Sequence, residues 1–454
     1  MSGPGRVRLT GAAKGAGSSG VTLPRDPEPR RIVAARGPGP IARVRQTRRL
    51  LRAEGYSGVA ARLADRVSNR ISPPESRRMP VVASDLERAA EIAASGWILP
   101  PPLPAEPGEP LSIAWVSAPP GPGSGGHTTM FRLISALEQA GHRCILYLRD
   151  RHGWALEQHE RRIRSWWPWV QAEVRDVADG IEDAHAIFAT AWETAYPVLA
   201  SPALGKRVYL VQDFEPSFYA AGSESLLAEA TYRFGFHGVT AGRWLAPLLE
   251  RDYGMSADHF AFGRDRTYAL DPSIGAGERT GICFYSRPDT PRRAYELGVL
   301  ALDLFAKRHP EVDIHLYGLV ARRLPFAATN HGLQTPGQLN ELYNRCVAGL
   351  VLSATNVSLA PHEMLAAGCT PVVNDAEHNR VVLANSHVAY APAAPFELAN
   401  ALCTLVERSP RDRVAAAEAA AASVEGTSWD EAGAAVVRIV ERVVTGTFAA
   451  ARAA

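Results

Sequence analysis

Ser353-Ala354-Thr355-Asn356-Val357-Ser358-Leu359-Ala360-Pro361-His362-Glu363-Met364-Leu365-Ala366-Ala367-Gly368-Cys369-Thr370-Pro371-Val372-Val373 reads as strand, polar turn, short helix and strand. The first strand is expected over 349–353 and the second over 370–374. The helix is expected from about Ser358 to Gly368, where glycine gives a C-terminal stop. Strands this apolar suit a parallel sheet buried on both faces and joined by right-handed βαβ connections. Ligands of such sheets bind beyond the carboxyl ends of the strands, so Thr355 to Glu363 belong to the binding side. There the free N–H groups of Ser358 and Leu359 suit a phosphate. Asn356 offers a carboxamide, and the Glu363 carboxylate suits the hydroxyls of a ribose.

The same alternation extends outward through most of the chain. Strands are expected at 111–117, 144–149, 172–177, 186–190, 207–212 and 238–241, then at 280–286, 313–318 and 388–391. Helices fill the gaps, among them 128–140 and 293–308. The series restarts near residue 280, after Asp271–Gly277, which reads as an interlobe linker. Two Rossmann-like lobes follow, 108–275 and 276–445, with an extension at 1–107 and a tail at 446–454. The last helix begins at Ser428, with Glu431 three residues on as a capping box and Val436, Val440 and Val444 on one face.

The chain has 454 residues, 46% hydrophobic, enough for a sizeable core. It contains no uninterrupted apolar run of about 18 residues, and its first residues have no secretory pattern. The cysteines, Cys144, Cys283, Cys346, Cys369 and Cys403, are scattered without a CxxC and read as buried free thiols of a reducing cytoplasm. Charge is uneven: residues 1–80 hold 17 Lys and Arg against 5 Asp and Glu, a net of +12, and the remainder 32 against 42, a net of −10. Residues 1–40 carry no apolar period and read as disordered. Residues 41–71 read as a helix with Val59, Leu63, Val67 and Ile71 in one stripe. The cationic stretch Arg43, Arg45, Arg48, Arg49 and Arg52 suits either an anionic membrane surface or a solvated arm. Tyr56 is the single aromatic residue of this helix, so nucleic acid is not an expected partner.

Three further stretches carry chemistry. Gly121-Pro122-Gly123-Ser124-Gly125-Gly126-His127 follows the first strand and fits G-x-G-x-x-G. It supports a dinucleotide-binding NAD(P) oxidoreductase, or a glycine loop that brings substrate to the backbone at a helix N-terminus, with His127 in the first turn. Val208 to Pro216 places Asp213 and Glu215 beyond a buried strand, where they could meet acceptor hydroxyls, and Trp192 follows another strand as an aromatic platform for a sugar. Phe284-Tyr285-Ser286-Arg287-Pro288-Asp289-Thr290-Pro291-Arg292-Arg293 ends a strand in a cationic loop, beside Gly318 at the end of the next strand. Fixed guanidinium groups there would stabilise the charge of a departing diphosphate.

The cationic loop and the stretch containing Glu363 resemble the retaining GT-B glycosyltransferases of family GT4. These carry an Arg-x4-Lys pair and an E-x7-E element, followed by a small-residue helix and a glycine-to-Pro-Val-Val tail. Arg287 matches the Arg, Arg292 stands where Lys is usual, Glu363 matches the second Glu, and Thr355 occupies the position of the first. Gln212 to Pro216, the Phe-Gly-Arg-Asp run at 262–265, Tyr285 to Pro288, and Thr355-Asn356 with Ser358-Leu359 resemble the WsaF-like rhamnosyltransferase subgroup. The resemblance spans roughly 108–445. It implies catalytic roles for Arg287, Arg292 and Glu363, and donor contacts from Tyr285, Asn356, Ser358, Leu359 and Gly318. It places Gly125, Gly126, His127, Asp213, Glu215 and Trp192 on the acceptor side of the cleft. It also implies a nucleotide diphosphate sugar as donor, a surface glycan or its lipid-linked precursor as acceptor, and no metal or other cofactor. The expected location is cytoplasmic, peripheral at the inner face of the membrane. A non-catalytic GT-B protein that binds glycans is the other reading of the same resemblance.

Overall fold

The computed structural model describes residues 80–81, 83–96, 99–121, 124–150, 153–274, 279–319 and 323–446. The cationic stretch and helix expected over 41–71 lie outside them, as do Pro122, Gly123 and the tail beyond Gly446. The described residues form two parallel sheets. The first contains β1 (Ser112–Ser117), β2 (Arg143–Leu148), β3 (Glu173–Asp176), β4 (Ala186–Ala189), β5 (Lys206–Val211), β6 (His237–Ala241) and β7 (Ala257–Phe260), in the order β3-β2-β1-β4-β5-β6-β7. The second contains β8 (Gly281–Ser286), β9 (Ile314–Gly318), β10 (Thr329–Asn330), β11 (Cys346–Leu350), β12 (Thr370–Asn374) and β13 (Ala389–Ala391), in the order β10-β9-β8-β11-β12-β13. In each sheet the strand order reverses beside the first strand, which opens a crevice at the carboxyl ends of β1 and β4 and of β8 and β11.

Both faces of these strands are apolar because both are covered. Ile113 and Trp115 of β1 pack on one side and Ala114 and Val116 on the other. Trp115 stacks on Phe188, its register partner in β4, with centroids 4.0 Å apart. All five cysteines are free and buried. Among the described residues no helix is long and apolar enough to cross a membrane.

Two short strands escaped the sequence reading. β7 is an edge strand whose Asp258 pairs with His237 and Arg442, so it lacks an apolar run. β10 has only two residues. The strand expected at 349–353 lies at 346–350. Its ladder gives way at Ser353, whose N–H is taken by the Asn374 side chain at 2.9 Å.

The expected domain limits also need correction. The helix Ala83–Ala94 is not part of a detached extension, since Val81, Ala89 and Ile92 lie in the core on one face of the first sheet. Arg149 holds this segment through the Asp85 carboxylate at 2.5 Å and the Pro80 carbonyl at 2.8 Å. The chain crosses between lobes before the expected linker at 271–277. Already at Ala269 and Asp271 the backbone N–H groups donate to Asn340 and Asn344 of the second lobe. The last helix, Trp429–Thr445, returns to the first lobe. Ser428 caps it by accepting from the Glu431 N–H at 3.1 Å, and Gly433 lies so close to Ala136 of helix Gly125–Gln139 that a Cβ would come within 2.5 Å. Its valine face therefore belongs to the first lobe's core, a pairing that helical periodicity alone does not specify.

Candidate functional site

The second lobe presents its cationic loop at the end of β8. Arg287 lies with its guanidinium carbon 6.0 Å from the Tyr285 ring centre and its Nε 3.6 Å from Asp289. Tyr285 stacks on Tyr317 of β9, centroids 5.3 Å apart. Gly318 holds φ +106°, and a Cβ there would come within 2.5 Å of the Ser286 carbonyl and 3.5 Å of the Arg287 side chain. Only glycine permits this close approach.

Arg292 reaches across to the first lobe. Its guanidinium lies 4.1 Å over the Phe218 ring, and its Nε is 3.5 Å from Asp213. Arg293, absent from the expected site, supports the opposite turn by donating to Ser353 Oγ at 2.7 Å and to the Asn356 carbonyl at 3.4 Å. Its signal in the sequence was simply the third arginine of the loop, with nothing to separate it from its neighbour.

The turn after β11 differs from expectation at Asn356. This residue is fully buried, and its carboxamide donates to the Gln212 and Ala241 carbonyls at 2.9 and 3.1 Å. It thus ties the ends of β5 and β6 to the second lobe instead of pointing its donors at a ligand. Thr355 Oγ1, Ser358 Oγ, Arg287 Nε, Arg292 Nε and both ring nitrogens of His362 are buried without a hydrogen-bond partner among the described residues. His362 is held near pKa 4 by burial, so it stays neutral.

Glu363 projects from the helix Ala360–Ala366, one residue after His362. Burial pushes its carboxyl up to about 7, Asp265 adding to this and Arg132 and Tyr268 opposing it. Arg287, Tyr285 and Tyr317 form a row at the ends of β8 and β9.

On the first lobe Gly125 and Gly126 are exposed at the start of their helix. Ser124 caps that helix, and Gln212 donates to the Gly126 carbonyl at 3.1 Å. His127 is not a free cleft residue. Its Nδ1 lies 2.7 Å from Ser124 Oγ and its Nε2 3.1 Å from the Ala118 carbonyl, and burial lowers its pKa. Both nitrogens are used in bracing the glycine loop against the end of β1.

Glu215 and Trp192 are not in the cleft. Glu215 is buried, accepting from the Trp192 N–H at 2.6 Å and the Tyr209 hydroxyl at 3.1 Å. Trp192 is buried as well, its indole N–H donating to the Tyr219 hydroxyl at 3.0 Å. Local placement beyond a strand cannot distinguish a side chain turned into the lobe from one turned into the cleft. Of the acceptor-side carboxylates only Asp213 meets the second lobe.

Burial raises the Glu215 carboxyl from 4.5 to about 8, despite the opposing Trp192 N–H. Between these values the folded chain binds a proton that the unfolded chain has released. The stabilisation is therefore complete below pH 4.5 and declines as pH rises towards 8. Glu215→Gln keeps an acceptor for Trp192 and removes the titration. Its stability relative to wild type is expected to rise by up to a few kcal/mol between pH 5 and 9. Urea unfolding across that range checks the sign, and parallel pH profiles for the two proteins would rule the effect out.

Against known proteins, the model described as the WsaF C-terminal domain matches residues 280–403, and that of the WsaF N-terminal domain matches 171–241. The O-antigen biosynthesis protein RfbC of Myxococcus xanthus is 36% identical over 201 residues, covering 43% of this chain. The match spans only 16% of that protein's length. Among solved structures, Anabaena HepE in complex with UDP and glucose aligns with TM-score 0.57 and 13% identity over 74% of this chain and all of that one. A TarM variant from S. aureus aligns with TM-score 0.60 and 7% identity over 73% and 99% of the two chains. WaaG, involved in lipopolysaccharide biosynthesis, aligns with TM-score 0.53 and 13% identity over 72% and 99%. With two domain matches that include both the Asp213 strand and the Arg287 loop, on a pair of lobes with doubly wound parallel sheets, this chain is similar to WsaF in both lobes and shares the GT-B fold of the solved neighbours.

Proposed function

We propose that this protein is a retaining glycosyltransferase that moves a sugar from a nucleoside diphosphate onto a glycan or its lipid-linked precursor, with L-rhamnose from a dTDP donor as the specific reaction. The observation that carries the reading is a set of buried polar atoms with no hydrogen bond, Thr355 Oγ1 and Ser358 Oγ after β11 and Arg287 Nε and Arg292 Nε after β8, the two arginines meeting Asp289 and Asp213 only at 3.6 and 3.5 Å. Buried polar groups normally have partners, and two guanidinium groups together with two hydroxyls suit a pyrophosphate. The UDP-bound HepE structure and the O-antigen name of the relative point the same way.

In the proposed reaction the bond from the anomeric carbon to the β-phosphate oxygen breaks as the acceptor oxygen bonds that carbon. The acceptor proton passes to the departing phosphate on the same face. Arg287 and Arg292 stabilise the charge that develops on the diphosphate, Glu363 holds the ribose, and Asp213 orients the acceptor across the cleft. With the charge met by arginines, turnover is expected to persist in EDTA.

The oxidoreductase reading of Gly121–Gly126 gives no role to the matched segment at 280–403 and is not favoured. A thermal-shift screen across UDP, dTDP, GDP and NADH is the test. A specific nucleoside diphosphate should raise the midpoint, with about 2.7 kcal/mol of stabilisation at a hundredfold excess over Kd. Stabilisation by NADH alone would overturn the assignment.

A further inference from the structure

Gln212 and Asp213 follow one another after β5, and their side chains reach different lobes. Asp213 meets Arg292 of the second lobe, Oδ2 to Nε 3.5 Å. Gln212 stays with the first lobe, where its Nε2 donates to the Gly126 carbonyl at 3.1 Å. The backbone carbonyl of the same residue accepts from Asn356 of the second lobe at 2.9 Å. Gln212 is thus held by both its main chain and its side chain at the place where the lobes meet. A carbonyl can only accept, so the bond to Gly126 assigns which end of the carboxamide is Nε2 and which is Oε1. Among the described residues none donates to Oε1. A Cβ on Gly126 would lie 3.6 Å from Nε2 and 3.7 Å from Oε1, so glycine there leaves the carboxamide uncovered on that side. An oriented, half-buried acceptor atom therefore stands beside the exposed Gly125 and Gly126, at the carboxyl end of the first sheet where ligands of such sheets bind.

We propose that Gln212 is a specificity-determining residue for the acceptor, its Oε1 accepting a hydrogen bond from a sugar hydroxyl other than the one that is glycosylated. The proposal rests on the reading of this cleft as a glycosyltransferase site with the acceptor beside Asp213. With Nε2 committed to Gly126, the carboxamide offers the cleft a lone-pair donor atom and no hydrogen. It selects a group that carries its own hydrogen. A hydroxyl does, whereas a carboxylate or phosphate brings only lone pairs and meets Oε1 with like partial charge. The acceptor class is therefore a sugar with a second free hydroxyl at this position, one hydroxyl reacting beside Asp213 and the other held by Gln212.

The experiment uses the full chain with dTDP-L-rhamnose as donor and the methyl glycosides of L-rhamnose, D-glucose, D-galactose and D-mannose as acceptor probes, with dTDP release as the readout. Monodeoxy analogues of each reacting glycoside are then compared in wild type, Gln212→Met and Gln212→Glu. In wild type, deletion of one non-reacting hydroxyl should raise the acceptor KM about three- to tenfold, the scale of one hydrogen bond. The value of kcat should hold, the signature of uniform binding. Gln212→Met keeps the length and removes the acceptor atom. It should show that rise already with the parent glycoside and no further rise with the deoxy analogue, because the two changes delete the same interaction. Gln212→Glu keeps acceptor oxygens and should stay sensitive to the deletion. It also carries the comparison if Gln212→Met fails to fold, since a Glu variant insensitive to the deletion would count against the contact. Kd for dTDP should be the same in all three proteins. Losses that multiply in Gln212→Met, or a wild type indifferent to every non-reacting hydroxyl, would overturn the proposal. Normal dTDP binding with no glycoside reacting would overturn it too and leave the donor reading standing. A wild type that does not bind dTDP would remove the reading beneath it, and the proposal with it.

Discussion

Arg287→Ala is expected to lower turnover by about 10²–10³-fold, the scale of losing one donor aimed at developing charge. The residue sits at the end of β8 over Tyr285, its side chain part-exposed and its nearest carboxylate, Asp289, at 3.6 Å. An ion pair this long and this accessible contributes little to stability, so the fold should tolerate the change. Activity and stability are thus predicted to separate, with kcat for sugar transfer falling and the thermal midpoint barely moving. The distinction from a binding residue lies in the kinetics. An interaction made mainly in the transition state lowers kcat and kcat/KM together, whereas uniform binding raises KM alone. Wild-type kcat in a folded Arg287→Ala protein would remove the loop from the mechanism.

Asn356→Ala is expected to have the largest effect on stability among single changes at the cleft. The carboxamide makes two donations to first-lobe carbonyls and accepts from the Val357 N–H at 2.9 Å, all in a fully buried position. Alanine leaves those groups without partners, and each unsatisfied buried group costs about 1–3 kcal/mol. A total loss of about 2–5 kcal/mol follows, since the partners relax in part. The bonds cross between the lobes, so the change should also loosen their closure. Small-angle scattering should record a larger radius of gyration, and limited proteolysis should cut near 262–271. A thermal midpoint within a degree or two of wild type would mean that the carbonyls find other partners. Arg293 gives an internal comparison, because it holds the Asn356 carbonyl from the second lobe's own side.

Much of the architecture was legible locally. Runs such as Ile113 to Val116 and Ile282 to Phe284 are apolar at every position because each face of the strand is covered, and this pattern survives without knowing what covers it. The edge strand β7 was illegible for the complementary reason, since its two central positions carry Asp258 and His259, one on each face. Within the site, the sequence could place Arg287, Arg292, Ser358 and Glu363 at the carboxyl ends of strands. It could not say which way a side chain turns there. Glu215 and Asp213 are two residues apart after β5, yet one is buried against Trp192 and Tyr209 while the other meets Arg292. Arg132 went unnoticed because its carboxylate partner, Asp265, is 133 positions further along the chain.

What the sequence determined by itself is the pair of parallel-sheet lobes and which loops lie beyond the carboxyl ends of their strands. Strand periodicity, glycine stops and charge at strand ends are properties of neighbours along the chain. Tertiary structure alone decided the return of the last helix to the first lobe, the use of Asn356 as a tie between lobes, and the charge environment of Glu363. Each of these depends on which distant groups share a low-dielectric space, and that is set by packing after the elements have formed.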